Sequence, residues 1–578
     1  MPPLRLLSLF CILAALGFAA GCDGGGGEQQ VTATSAASEA NTVPGNDDSA
    51  TSDEPTDDPS DRNIYSLPEV PFAERTTVSN EVITNPEAPV PSQCYTRTEG
   101  RHNPCYTCHQ IYDRSTGEFR MNELDDGGLQ GDYLFSEEGL TNQWKNLFVD
   151  RRQWLAQVSD ETIQAYVNTE NYSQLPVDLR ARDWQGFIPD LQDYDRAAEA
   201  FDERGIARDG SHWVAFNYKP FPGTFWPTNG ATDDVVVRLP EAFRELDGQY
   251  NETLYFLNLS LVELNIKQLD SIAIPPQDES LLQVDLDGDG TIGTATVMRK
   301  RETYLGDAAQ STVLPQQYPE GTEFMHSVRY VGSNSEGDIF VPARMKELRY
   351  MKKIRELAQH DIASRYARER KEKNEGKLPN FNYHGEQGME NGYGWMLQAY
   401  IEDYDGKLRP QTYEETFFCM GCHAAVGATI DQTFAFARKV PGEQGWGYID
   451  LKGMPDVPSV SEPGGEILKY LERAGGGSEF RENTEMLSRW YQGDGTVDVE
   501  KVQASDVYTL LAPSHERALQ LNKAYSHIVR HQSFIKGRDA TWLPAENVFE
   551  TIDESEPPLA PEFRYYDWDI RLDWRAVP

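Results

Sequence analysis

"PARMKELRYMKKIRELAQHDIASRYARERKEKNE", residues 342–375, decides how the chain is first read as a fold. Met345, Leu348, Met351, Ile354, Ala358 and Ile362 recur every three or four residues, the repeat that lines one face of an α-helix. Gly376 follows as a stop signal. The stretch predicts one long helix from Pro342 to about Glu375. Residues 344–373 hold 11 Lys/Arg against 5 Asp/Glu, inside a chain of 53 Lys+Arg, 93 Asp+Glu and formal net charge −40. Pairing with acidic side chains elsewhere is the simpler account of that excess; recognition of an anionic group or of a redox partner is the sharper one.

Working outward, "LTNQWKNLFVDRRQWLAQV" (140–158) also repeats apolar residues at helical spacing. "ETLYFLNLSLVELNIKQL" (252–269) sets Leu254, Leu257, Leu261 and Leu264 on one stripe. Further helices are expected near Glu466–Arg473 and over Ser514–Phe534. "SHWVAFNYKPFPGTFWPTNGATDD" (211–234) is crowded with aromatic residues, Pro and Gly and reads as a rigid, packed loop. Only "EGTEFMHSVRYVG" (320–332) alternates like a strand, and it is expected to pair with Thr294–Lys300. The expected fold is mainly α with irregular loops and a small β-sheet (α+β). Two units are expected, an N-terminal one over 64–335 and a C-terminal helical one over 336–578.

The N-terminus reads as export machinery. "MPPLRLLSLFCILAALGFAAGC" has one Arg, an apolar run from Leu6 to Leu16, then small residues. That is a signal-peptide pattern over 1–21, too short for a spanning helix. Its end, "AAGC", resembles the lipobox of bacterial lipoproteins, which implies cleavage before Cys22 and lipidation of that cysteine. Ala19 stands where that pattern usually has Leu, so ordinary signal cleavage stays open. Residues 22–63 are rich in Gly, Ser, Thr and Asp, with almost no large apolar side chains, and read as a lipid-anchored flexible linker. The protein is thus expected to be exported and membrane-anchored, in the periplasm or at the cell surface of a bacterium. A charge of −40 repels nucleic acid and favours a basic protein partner.

The cysteines carry the chemistry. Cys11 leaves with the signal peptide and Cys22 takes the lipid. Of the five others, Cys105 and Cys108 form one C-x-x-C pair and Cys419 and Cys422 a second; Cys94 is left over and reads as an inert buried thiol. Each pair is followed at once by histidine, in "NPCYTCHQ" (103–110) and "FFCMGCHA" (417–424). With 10 His in 578 residues, chance would place a His after both pairs with odds of roughly one in three thousand. These residues resemble the haem-attachment motif of c-type cytochromes. The resemblance implies two covalent haems c: one thioether-linked to Cys105 and Cys108 with His109 as axial ligand, the other on Cys419, Cys422 and His423. It covers only the motifs themselves. A Cys₄ zinc site or a dithiol redox pair is the weaker alternative, since neither uses the histidines.

The sixth iron ligands are less legible. Met454–Pro455 resembles the Met-Pro turn that precedes a C-terminal helix in class I cytochromes c, which implies Met454 for the second haem. For the first, the candidates are His102, His326 and His531, the last on the apolar stripe of the final helix. "DLDGDGTIGTAT" (285–296) places Asp285, Asp287 and Asp289 at alternate positions with Gly290 sixth, resembling the front of an EF-hand calcium loop to which Thr291 would add a carbonyl. Thr296 stands where the bidentate Glu belongs; calcium is set slightly ahead of a plain acidic turn. The function expected is a multidomain dihaem cytochrome that transfers electrons. The rivals are a dihaem oxidoreductase such as a peroxidase, with one open catalytic haem, and a binding protein whose haems are auxiliary.

Overall fold

The computed structural model describes residues 66–77, 83–110, 127–222, 230–476, 480–553 and 556–576. The signal peptide, Cys22, the linker and the middle of the aromatic loop lie outside them. All described residues belong to one compact unit spanning Pro59–Pro578.

That unit is built on a large antiparallel sheet. In chain order its strands are β1 (Val214–Ala215), β2 (Thr232–Arg238), β5 (Glu323–Arg329), β6 (Met345–Lys353), β7 (Asn382–Tyr383), β8 (Met389–Glu390), β9 (Trp395–Glu402) and β10 (Leu408–Pro410). Between them in sequence, β3 (Ser271–Asp278) and β4 (Thr294–Arg299) form a separate two-stranded ribbon. The sheet runs β1-β2-β5-β6-β9-β8-β7, with β10 paired to β9. Strands from both sides of residue 335 therefore share one sheet.

This corrects the mainly helical expectation. The protein is 33% helix and 17% strand, organised around eight sheet strands. The decisive stretch at 342–375 is split: Met345–Lys353 is the central strand and only Gln359–Asn374 is helix. The physical reason is burial on both faces of β6, where apolar residues three apart do not mark a stripe. Several of its charged side chains are buried or partly buried, and paired. Arg344, just before the strand, meets Glu402 at 2.6 Å; Arg349 meets Glu347 at 3.0 Å; Lys353 meets Asp431 at 2.5 Å. Part of the local excess of positive charge is thus answered by carboxylates from outside the stretch, Glu402 and Asp431. The strand read at 320–332 forms as Glu323–Arg329, but between β2 and β6 rather than beside Thr294–Lys300, which belongs to the ribbon.

The helices follow their patterns more closely. The helix α1 (Glu252–Lys267) is capped by the Asn251 side chain, which accepts from the Leu254 amide, and is buried nearly all round. The helix α2 is Gln359–Asn374. Two short helices, α3 (Tyr413–Phe417) and α4 (Met420–His423), flank the second cysteine pair. The helices α5 (Glu466–Ala474) and α6 (His515–Arg530) form where expected. In 140–158 only Lys145–Phe148 and Arg152–Gln157 are helical, as two short turns.

The pleat assigns the sheet two faces. Across β2, β5, β6 and β9 the register aligns Val235, His326, Arg349 and Ala399, and next to them Val237, Phe324, Met351 and Leu397. These point one way; Val236, Met325, Leu348 and Tyr400 point the other, into a separate apolar cluster.

Candidate functional site

Both C-x-x-C-H motifs open onto one cavity of about 640 Å³, within the size of ligand pockets generally (~300–1,000 Å³). The first face of the sheet forms part of its wall: Asp233, Val235, Phe324, His326, Arg349 and Met351 all line it. The motifs, more than 300 residues apart in sequence, supply Cys105, Cys108 and His109, and Cys419, Cys422 and His423. Aromatic side chains, among them Tyr218, Phe418, Phe434 and Tyr470, complete a mostly apolar enclosure.

Each motif is a single helical turn. The His109 amide donates to the Cys105 carbonyl at 3.0 Å and the His423 amide to the Cys419 carbonyl at 3.0 Å. Such a turn brings residues i, i+3 and i+4 to one side, which is what two thioethers and an axial imidazole require. The first turn is fixed by Asn103, whose side chain accepts from the Tyr106 amide (3.1 Å) and donates to Gln130 (2.8 Å). Gln130 in turn donates to the His109 carbonyl at 2.8 Å. The second is preceded by a capping box, in which Thr412 and Glu415 satisfy each other's backbone amides at the start of α3. Gly421 lets this turn approach the 89–91 loop: a Cβ there would lie 2.6 Å from the Pro89 carbonyl oxygen.

His423 is set up as a ligand. Its Nδ1 lies 2.8 Å from the Gln432 carbonyl oxygen, so that nitrogen carries the proton and Nε2 keeps its lone pair. Burial pushes its pKa down to about 4, against the opposing hydrogen bond to Gln432, so the ring is neutral at physiological pH. Asn391 donates to the His423 carbonyl at 2.6 Å, tying the turn to the sheet. The five described cysteines carry half-buried thiols. Burial raises Cys105 and Cys422 to about 11, far from the activated thiolate of a redox dithiol. Nor do the four motif thiols gather as a zinc site; among the described residues the metal-type cluster lies elsewhere, at Glu279, Asp285 and Asp287. Adjacent thiols, an imidazole after each pair, with that of His423 oriented by Gln432, and an apolar aromatic-walled cavity are a donor set that fits covalent haem.

The other expected ligands are dispersed. His326 lines the cavity; its Nε2 lies 3.1 Å from Asp233, whose carboxylate also accepts from Tyr218 at 3.1 Å. Met454 is buried in a separate cluster with Leu451, Ile467 and Trp490, and His102 is not on the cavity wall. His531 stacks on His527 with ring centroids 4.0 Å apart, also away from the cavity. Cys94, Met351 and Met420 are on the wall, and their sequence positions gave no sign of it.

In the 285–296 loop, Asp285 accepts from the amides of Gly288 (2.6 Å) and Gly290 (2.9 Å), and Asp289 from that of Thr291 (2.7 Å). The carboxylate absent at position 296 has a counterpart outside the motif. Buried Glu279 contributes an oxygen that lies within 4.8 Å of those of Asp285 and Asp287. Asp289 is not part of that group.

A lipoprotein family model matches residues 78–509, a span that includes the whole sheet and both motifs. The chain belongs to this lipoprotein family. One relative is an uncharacterized lipoprotein of Aquifex aeolicus (strain VF5), to which this lipoprotein is 34% identical over 514 residues, covering 79% of the chain and 86% of the relative. No solved structure matches it. Among its described residues no helix is long and apolar enough to cross a membrane.

Proposed function

We propose that the protein is a dihaem c-type cytochrome that transfers electrons in the bacterial envelope, held there by a lipid on Cys22. The observation that carries this reading is the single cavity walled by both C-x-x-C-H motifs. Bound haems would supply one-electron chemistry. The chain's own part would be to attach them through Cys105 and Cys108 and through Cys419 and Cys422, to offer the His109 and His423 imidazoles to iron, and to keep the two groups in one mostly apolar enclosure. The acidic surface suits a basic redox partner, and the anchor places the reaction in the periplasm or at the cell surface. The test is the intact mass and alkaline pyridine spectrum of the exported, full-length protein. Two haem adducts are expected, and Cys105→Ser/Cys108→Ser or Cys419→Ser/Cys422→Ser should each remove one. An unmodified mass would end this reading.

A second reading is favoured by a specific shortage. Two haems present four axial positions, whereas His109, His326 and His423 are the histidines of the cavity wall. One iron face is then left to a weaker donor or to an external molecule, as an oxidoreductase with one open haem would need. Cyanide or peroxide should perturb the spectrum of one haem under this reading and of neither in a pure carrier. Calcium at Asp285 and Asp287, with Glu279 as the carboxylate that the loop itself lacks, accompanies both readings as a structural ion.

A further inference from the structure

We propose that His326 supplies the second axial nitrogen of the haem on Cys419, Cys422 and His423, leaving the haem on Cys105, Cys108 and His109 as the one with an exchangeable face. This rests on the dihaem reading and adds to it which iron is closed and which is open.

The argument begins with the tautomer of His326. An ionised carboxylate only accepts hydrogen bonds, and Asp233 accepts from both Tyr218 and His326. His326 Nε2–H is thus held by Asp233, and among the described residues no hydrogen bond engages its Nδ1. His423 is arranged by the same logic with the nitrogens exchanged, since its Nδ1–H is held by Gln432 and Nε2 is left over. The cavity wall thus holds two imidazoles, each with one nitrogen pinned by an oxygen and the other turned away from that oxygen. An imidazole whose N–H meets a carboxylate is the more basic donor, which is the usual support behind a metal-bound histidine.

Position selects the haem. Across the sheet His326 is aligned with Arg349. The Arg349 guanidinium lies close enough to Cys419, Cys422 and His423 to act on the charge of all three, and a charge on His326 would likewise be felt at His423. The His326–Arg349 row of the sheet therefore faces the second motif. Phe434, which meets the His423 ring edge-on with centroids 5.8 Å apart, lines the same region. Gly131 and Tyr133 lie beside Cys105 of the first motif, and the imidazoles of the whole cavity wall are those of His109, His326 and His423. The two sites are then unequal: a bis-imidazole haem suited to passing electrons at low potential, and a neighbour able to take an external ligand.

The test uses the full-length, haem-loaded protein and is read by mass, electron paramagnetic resonance and optical spectra. The wild type is expected to show one low-spin haem indifferent to cyanide and one that binds it. His326→Gly should keep both haems by mass, lose the cyanide-indifferent low-spin signal in favour of a high-spin one, and recover it on adding imidazole. His326→Met, a smaller disturbance to the fold, should remain low-spin with a potential shifted upwards. Asp233→Asn should leave the spin state alone and raise the potential of that haem only. If the cyanide-indifferent low-spin signal and both potentials are unchanged in His326→Gly and His326→Met, His326 is not a ligand and the proposal falls. If the wild type lacks haem adducts, the dihaem reading itself falls, a distinct result.

Discussion

Glu347 joins the cavity floor to the second motif, and its removal gives the sharpest test of that architecture. On β6 its carboxylate accepts from Arg349 (3.0 Å), Arg538 (2.8 Å) and Gln411 (3.1 Å). Arg538 also donates to the Glu415 carbonyl at 2.7 Å, within the helix that leads into Cys419. Burial alone would raise the pKa of Glu347, but Arg349 and Arg538 overcome it and hold the group at about 2, below its usual 4.5. A group depressed on folding stabilises the native state above its unfolded value and loses that contribution as pH falls through its folded value. A fall from 4.5 to about 2 corresponds to about 3 kcal/mol. Glu347→Gln would also leave two largely buried guanidinium groups without this carboxylate, a loss of up to about 3–5 kcal/mol at neutral pH, against a total of ~5–15 kcal/mol for a domain. Denaturant unfolding of the haem-loaded protein at pH 7 should show that deficit. Below pH 4.5 the gap between wild type and variant should narrow, by up to about 1.4 kcal/mol per pH unit. Equal stabilities at pH 7, or a gap that stays constant down to pH 3, would refute the claim that this carboxylate is ionised and shared between floor and motif.

Gly421→Ala should destabilise the protein by about 1–3 kcal/mol, because the new methyl meets the Pro89 backbone. Gly493→Ala, where a Cβ meets nothing within 4 Å, is the matched control; equal thermal midpoints for the two variants would count against the close approach. Millimolar Ca²⁺ should slow proteolysis of the 279–293 loop, and Glu279→Gln should abolish the protection; cleavage indifferent to Ca²⁺ and chelator would remove the ion from this loop. Reduction of a basic acceptor protein should slow as salt rises from 10 to 200 mM, through the range in which screening lengths fall below about 10 Å. A salt-independent rate would show that the net charge does not steer the encounter.

What the sequence made legible is what chemistry confines to neighbouring residues. The proposed attachment of one porphyrin would need two thiols and an imidazole within a single turn, and each motif holds them in five residues, to which the structure adds the turn and the caps around it. The helices at Glu252–Lys267 and His515–Arg530 were legible for a similar reason, since their signals lie within the segment itself. The strand Met345–Lys353 was not. Its identity depends on β5 and β9 covering it and on carboxylates far away, Glu402 and Asp431, neutralising charges that would otherwise bar a buried strand. Read alone, "RMKELRYMKK" carries no β-branched residue, and helical spacing wins by default. The same dependence hid Glu279 behind the acidic loop and Asp233 behind His326, pairs separated in sequence and joined only by the ribbon and the sheet. The distal side of a haem site is bound to be harder to read than the proximal side for this reason. In the proposed dihaem site the proximal ligand would be fixed by the covalent bonds next to it, whereas the distal one would be whatever the opposite wall presents, here a sheet whose register aligns His326 with Arg349. A one-residue slip of that register would turn His326 away from the cavity and bring Met325 or Ser327 to its place. The make-up of the cavity wall is therefore set as much by strand pairing as by the two motifs.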